Sequence, residues 1–274
     1  MNHNASPHIT VIIPCYNHGT FLPETLASVM SQDYRPFDVI IINDGSTDET
    51  TLKVLGQLAT QERITVLNIE NGGPSIARNQ ALKNAKGEYL ALIDADDRML
   101  PGFLSSSVRS ILKLPEAAVV YGNYRHFGEK NNLMVQQAFD ITRQLMYNQI
   151  ALCVLMRKQA LIDACGFDEY LSKLGLEDWD LWLTLYEKGW KFIHVNEILF
   201  EIRVNYASRT YEVANRNIDH LKSYIYNKHA MLLSQNYFNL YHEIKNIKKS
   251  FDFRIGNSIL KIPRIIKRWI CGKK

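Results

Sequence analysis

From residue 38 to residue 48 the chain reads Asp-Val-Ile-Ile-Ile-Asn-Asp-Gly-Ser-Thr-Asp. Val39 to Ile42 form an apolar, β-branched run suited to a strand covered on both faces. Asn43 to Asp48 are turn and helix-capping types, so the strand ends there and a helix follows. Upstream, Ile9 to Ile13 is a similar run, stopped by Pro14 and the turn residues Asn17-His18-Gly19. Between the two runs, Leu22, Leu26 and Val29 share one helical face of the segment Phe21 to Met30. Strand, helix and strand in this order predict a parallel βαβ unit. The rhythm continues downstream with a helix over Glu49 to Thr60, a strand over Ile64 to Ile69, a helix over Pro74 to Asn84 and a strand over Tyr89 to Ile93. This alternation predicts an α/β fold, with a doubly wound, mostly parallel sheet and helices on both faces.

Beyond Pro101 the pattern loosens. A helix is expected over Phe103 to Leu112 and a strand over Ala118 to Tyr121, then an irregular or hairpin excursion from Tyr124 to Gln137. A helix after Glu177 would turn Leu181, Trp182 and Leu185 inward. A strand follows over Lys191 to Val195, with helices across much of 212 to 245.

With 274 residues, 46% of them hydrophobic, the chain has ample material for a buried core. Its four cysteines, Cys15, Cys153, Cys165 and Cys271, show neither CxxC spacing nor histidine partners at zinc-finger intervals. Reduced thiols in the cytoplasm are therefore expected. Residues 1 to 10 lack the basic and apolar regions of a signal peptide, and no stretch approaches the ~18 apolar residues of a spanning helix. The net charge of +4 is modest, but residues 245 to 274 hold ten Lys or Arg against one acidic residue, Asp252.

Three acidic patches follow hydrophobic strands or open helices: Asp44 and Asp48, Asp94-Ala95-Asp96-Asp97, and Glu177-Asp178-Trp179-Asp180. The carboxyl ends of strands in an open α/β sheet are where ligands bind. Mg²⁺ and Mn²⁺ take oxygen ligands and commonly share a few carboxylates with substrate phosphates. Each patch also has a structural use. An acidic turn caps the next helix, Asp48 or Thr47 serves as an N-cap, and Glu177-Asp178 complements a helix dipole. Asp44 is left free by these uses. A carboxylate at the start of the helix after Leu176 is expected to stay ionised and to suit a general base. Asn71-Gly72-Gly73-Pro74-Ser75 opens a helix that could meet an anion, with Arg78 one turn in, although a tight turn would read the same. Trp179 and Trp182 are expected in the core.

These segments together resemble family 2 glycosyltransferases of the GT-A fold. The matching stretches are Val11 to Asn17, Ile42 to Asp48, Asn71-Gly72-Gly73 with Ala77-Arg78-Asn79, Asp94 to Asp97, Gly166-Phe167-Asp168-Glu169 and Glu177 to Trp182. They span roughly residues 9 to 205. The resemblance implies inverting transfer of a sugar from a nucleotide-sugar donor, preferably a UDP-sugar, to a hydroxyl of a saccharide acceptor, by direct displacement. By the same resemblance the nucleotide is bound by Pro14, Tyr16, Asn17, Asp44, Arg78, Asp94 and Ala95. Asp96 and Asp97 hold Mn²⁺ or Mg²⁺, and Asp178 is the base with Glu177 beside it. Where many relatives carry a histidine after the last strand, this chain has Asn205, a weaker neutral ligand. Residues Tyr121 to Arg157 are expected to wall the donor-sugar pocket.

The expected domains are a GT-A catalytic domain over 1–210 and a helical, basic amphipathic C-terminal extension over 211–274. The extension suits either an anionic membrane surface or packing on the main domain as a solvated helix, and a lipid-linked cell-surface polysaccharide or lipopolysaccharide precursor, a fitting acceptor, favours the membrane. That places the protein in the cytoplasm, peripheral on the inner membrane face. Nucleic acid is not an expected partner. Two rivals are a nucleotidyltransferase, which would need a Gly-rich, Arg-bearing loop where Pro14-Cys15-Tyr16-Asn17 stands, and a non-catalytic nucleotide-sugar-binding or scaffolding protein on the same fold.

Overall fold

A computed structural model describes residues 6–205 and 209–249. Its elements run β1 (Ile9–Cys15), α1 (Leu22–Met30), β2 (Phe37–Asp44), α2 (Glu49–Leu58), β3 (Ile64–Ile69), α3 (Pro74–Asn84), β4 (Tyr89–Leu92), β5 (Arg98–Met99), α4 (Phe103–Ile111), β6 (Ala117–Gly128) and β7 (Leu133–Met134). There follow α5 (Ile141–Met146), β8 (Val154–Arg157), α6 (Lys158–Asp163), a 3-10 turn (Glu169–Leu171), α7 (Glu177–Glu187), β9 (Lys191–Val204), α8 (Arg209–Lys228), α9 (Ala230–Gln235) and α10 (Tyr237–Lys249).

The strands form one sheet in the order β3-β2-β1-β4-β8-β6-β9-β5, with β7 paired to β6. β1 pairs in parallel with β2 and with β4, so Cys15 lies beside Asn43 and Ile12 beside Leu92. Asp44 and Asp94 therefore leave the sheet at the same rim. The period-2 alternation of the strands sends side chains to two separate cores. Ile9, Val11, Ile13, Val39 and Ile41 pack with Leu26 of α1, Leu55 of α2 and Phe103 of α4. Ile12, Ile40 and Ile42 pack with Ala77 of α3, Leu161 of α6 and Leu181 of α7. Both faces are covered, as the continuous apolar strands require.

Two features depart from the sequence reading. β8, a four-residue run that gave no period to read, inserts between β4 and β6 and is antiparallel to both. β6 and β9 extend well past their expected ends because they pair with each other over eleven positions, with register shifts near Gly122 and Asn123. Such bulges let a strand bend and continue with polar residues. The excursion at 124–137 is a hairpin, with Tyr124 opposite Met134.

One compact unit ends at His229, and a second begins at Ala230. The first unit takes in α8, where the expected boundary lay at residue 210. Leu221 and Ile225 are fully buried. Lys228 Nζ binds Asp168 Oδ2 at 2.6 Å and Asp180 Oδ2 at 2.8 Å, while His229 lies between Asp180 Oδ1 (3.1 Å) and Glu187 Oε2 (2.9 Å). The Asp180 side chain is almost wholly buried, so Asp180→Ala should cost about 2 kcal/mol or more by removing a buried hydrogen-bond acceptor from Lys228 and His229. Urea unfolding would show a lower midpoint with an unchanged slope. In the second unit, α10 leaves Tyr237, Phe238 and Tyr241 exposed. Most of the basic segment 245–274 lies outside the described residues.

Candidate active site

The first loop is stapled to the second. Asn17, at φ +54°, accepts hydrogen bonds from Thr47 N (2.8 Å) and Asp48 N (3.3 Å), and its own amide donates to Ser46 Oγ at 3.0 Å. Asp48 caps α2 through Thr51 N at 2.8 Å, the structural role read for it. Tyr16 is left exposed on this rim beside Pro14.

Asp44 is occupied, contrary to the expectation that it was free. Its two carboxylate oxygens accept from Gly72 N (2.7 Å) and Gly73 N (2.9 Å), and the residue is buried. The anion expected at the start of α3 is also pre-empted, because Ser172 Oγ accepts from Ser75 N at 3.0 Å and from Ile76 N at 3.2 Å. Gly73, at φ +88°, has no room for a Cβ, which would lie 2.5 Å from Ser172 O. The glycine pair is a packed joint that seats Asp44.

Arg78 joins the second acidic patch to the third. Its guanidinium donates to Asp94 Oδ1 at 2.6 Å and to Glu177 Oε1 at 2.9 Å, over the ring of Phe167 at 5.3 Å. Its side chain is 3% exposed. Burial opposes the charge, but the two carboxylates outweigh it and raise the pKa. Next to it, Asn79 accepts from Phe167 N at 2.8 Å and donates to Phe167 O at 2.9 Å, locking the Gly166-Phe167 turn against α3.

Asp94, Ala95, Asp96 and Asp97 form a tight turn after β4. Ala95 is buried, with its carbonyl accepting from Thr25 Oγ1 at 2.9 Å. Asp97 turns one oxygen to Arg203 N of β9 at 2.9 Å. Asp96 is the more open, with His18 Nδ1 3.9 Å from its Oδ1, a neighbour the sequence reading missed. Burial, and then the neighbouring carboxylates, raise the Asp97 pKa well above the usual range; burial also raises that of Asp96, with His18 opposing and Asp94 adding. Negative charge is thus crowded here without full compensation. Among the described residues no group of three or more His, Cys, Asp or Glu could hold a metal ion unaided. Asp96 and Asp97 offer carboxylate oxygens, the ligand type that hard cations take. Asn205 follows directly after β9, two residues beyond Arg203. Arg203 also donates to Asp96 O at 3.2 Å and to Glu24, and stacks over Phe21 and Phe127.

Asp178 overturns one electrostatic expectation. Burial, then the adjacent Glu177, push its pKa up to about 7, against hydrogen bonds from Asn148 and Trp179 N. The helix start does not hold it ionised at acid pH. A carboxylate poised near neutrality is better matched to taking a proton from a hydroxyl. Asn148 Nδ2 lies 2.7 Å from Asp178 Oδ2, and Gln144 O, one turn before it, accepts from the buried Trp179 indole. Asn148 sits in an unpatterned polar stretch, Tyr147-Asn148-Gln149, and only its contact reveals it. Trp179 and Trp182 are core residues, as expected.

A family model for Glycosyl transferase family 2 matches residues 10–167. An uncharacterized glycosyltransferase of Rickettsia prowazekii is 30% identical over 233 residues, covering 80% of this chain and 70% of that protein. Chondroitin synthase of Pasteurella multocida is 28% identical, covering 96% of this chain but only 28% of its own length. Among solved structures, S. aureus TarS in complex with UDP-GlcNAc superposes with a TM-score of 0.64 at 23% identity, over 74% of this chain and 60% of that one. The mannosyltransferase PcManGT from Pyrobaculum calidifontis, in complex with GDP-Man and Mn²⁺, gives 0.60 at 19% identity, over 76% and 60%. The chain thus spans well under two thirds of several proteins it resembles.

Proposed function

The chain belongs to glycosyl transferase family 2 and is a glycosyltransferase of GT-A fold, and from that premise we propose inverting, metal-dependent transfer from a UDP-sugar to a hydroxyl of a saccharide acceptor. The observation that carries this is the Arg78 bridge, which sets the turn Asp94–Asp97 and the pair Glu177-Asp178 on one rim. In the displacement, the acceptor oxygen bonds to the anomeric carbon as the bond to the diphosphate breaks. Asp178 takes the acceptor proton, and the leaving nucleotide departs with the bonding pair. Pro14, Tyr16 and Asn17 line the nucleoside end, and Asp44, seated on the Gly72 and Gly73 amides, ends the neighbouring strand β2 beside it. Asp94 lies next to Arg78 by the ribose, and Ala95 forms the floor of the turn. Asp96, with Asp97 anchored beside it on β9 and Asn205 nearby, would hold Mn²⁺ or Mg²⁺. When bound, the cation neutralises charge growing on the diphosphate.

Both solved relatives described above carry nucleotide sugars, one with UDP and one with GDP, and one carries Mn²⁺. UDP is preferred here by resemblance. The acceptor we favour is a lipid-linked cell-surface saccharide, with the aromatic face of α10 and the basic segment after it lying on an anionic membrane. Among the described residues no helix is long and apolar enough to cross a membrane.

A thermal-shift screen of UDP, GDP, dTDP and CMP, each with and without Mn²⁺, tests the donor class. UDP at about 100 times its Kd should stabilise by about 2.7 kcal/mol, a rise of several degrees, and only with metal. Asp96→Ala should remove the metal-dependent part. A wild-type protein that no nucleotide shifts would count against the proposal.

A further inference from the structure

We propose that a cavity of about 420 Å³, between the β6–β7 hairpin and the loop from Tyr147 to Ala151, is the acceptor subsite and takes an uncharged pyranose. This rests on the transfer reading above, with Asp178 as base.

Position is the first argument. Asn148 lines the cavity and donates to Asp178 Oδ2 at 2.7 Å, so an occupant lies one side chain from the proton-accepting carboxylate. The nucleoside end is elsewhere, since β4 and β8 separate β1 from β6 in the sheet. This part of the 121–157 region, expected to wall the donor sugar, is thereby assigned to the acceptor.

Lining chemistry is the second argument. Tyr124 and Tyr147 bring aromatic rings, and Gln137, Asn148 and Gln149 bring polar, uncharged amides. A pyranose offers an apolar C–H face to the first and hydroxyls to the second. No lining residue carries a charge. A uronate or a sugar phosphate would lose its hydration there without a counter-charge, which is costly.

The wall is also prepared for a ligand. The Gln136 side chain donates to Gly122 O and accepts from Ala151 N, and its backbone N–H donates to Asn123 Oδ1 at 2.9 Å. Tyr147 is half-exposed among the residues lining the cavity, where its ring can cover one face of a sugar.

Saturation-transfer NMR on the full chain tests the assignment, using methyl glucopyranoside, methyl galactopyranoside and methyl N-acetylglucosaminide, with methyl glucuronide as the charged probe. Transfer is expected to at least one neutral glycoside and not to the glucuronide. Tyr147→Ala should reduce it several-fold and Tyr147→Phe should retain it. Signal from the glucuronide alone, none from any neutral glycoside, or equal signal in Tyr147→Ala would overturn the proposal. UDP and Mg²⁺ in the same tube report separately. Loss of UDP signals in the wild-type chain would sink the donor reading, whereas intact UDP signals with no glycoside response would sink only the acceptor subsite.

Discussion

Asp178→Asn should lower the transfer rate about 100- to 10,000-fold while leaving UDP-sugar affinity within a few-fold of the native value. The amide keeps the size and the neighbours of the carboxyl but cannot accept the acceptor proton. In the native enzyme, kcat/KM should fall as pH drops through about 7, by about tenfold per unit below that point, because protonation of Asp178 removes the base. The variant should lose this limb. Its stability should move in the opposite sense. The folded pKa lies above the ordinary value of 3.8, so the associated stabilisation is complete below that value and is lost as pH rises through about 7. Asp178→Asn should therefore melt higher than wild type at pH 8 and show little difference at pH 4. A variant that turned over at the native rate would remove Asp178 from the base role.

Arg78→Met should be the most damaging single change to both stability and donor binding. The guanidinium is buried and holds Asp94 and Glu177 at once. Removing the guanidinium leaves the mostly buried Glu177 carboxylate uncompensated, at about 3 kcal/mol, while the half-exposed Asp94 is screened by solvent and adds little. Urea unfolding should register the loss, and the metal-dependent UDP shift should vanish because the two acidic patches are no longer held together. Arg78→Lys should rescue only part of either, since an ammonium is a point charge and the bridge needs two donors in a fixed fork. If Arg78→Lys matched wild type in both measurements, the bridge would have no part in shaping the site.

The early βαβ units were readable because their information is local. In Val39 to Ile42 and the helical face of Leu22, Leu26 and Val29, a few consecutive residues state both the element and its buried side. β8 was invisible for the opposite reason: Val154 to Arg157 is too short for a period, and only its neighbours β4 and β6 make it a strand. The extension of β9 to Val204 likewise depends on β6 being present to pair with it.

The candidate site divides along the same line. That acidic residues cluster at strand ends, and that their order matches one enzyme family, was determined by the sequence alone, because motif identity and spacing survive without coordinates. What each carboxylate does was decided by the tertiary structure. Asp44 is seated by amides 28 and 29 residues away, Arg78 reaches Asp94 across 16 residues and Glu177 across 99, and Asn148 meets Asp178 from an unpatterned loop. The pKa of Asp178 turned out opposite in direction to its local reading, because helix position is a short-range term and burial is set by everything folded around it. Local patterns fix elements, while desolvation and long-range pairing, which exist only in the folded chain, assign their charges.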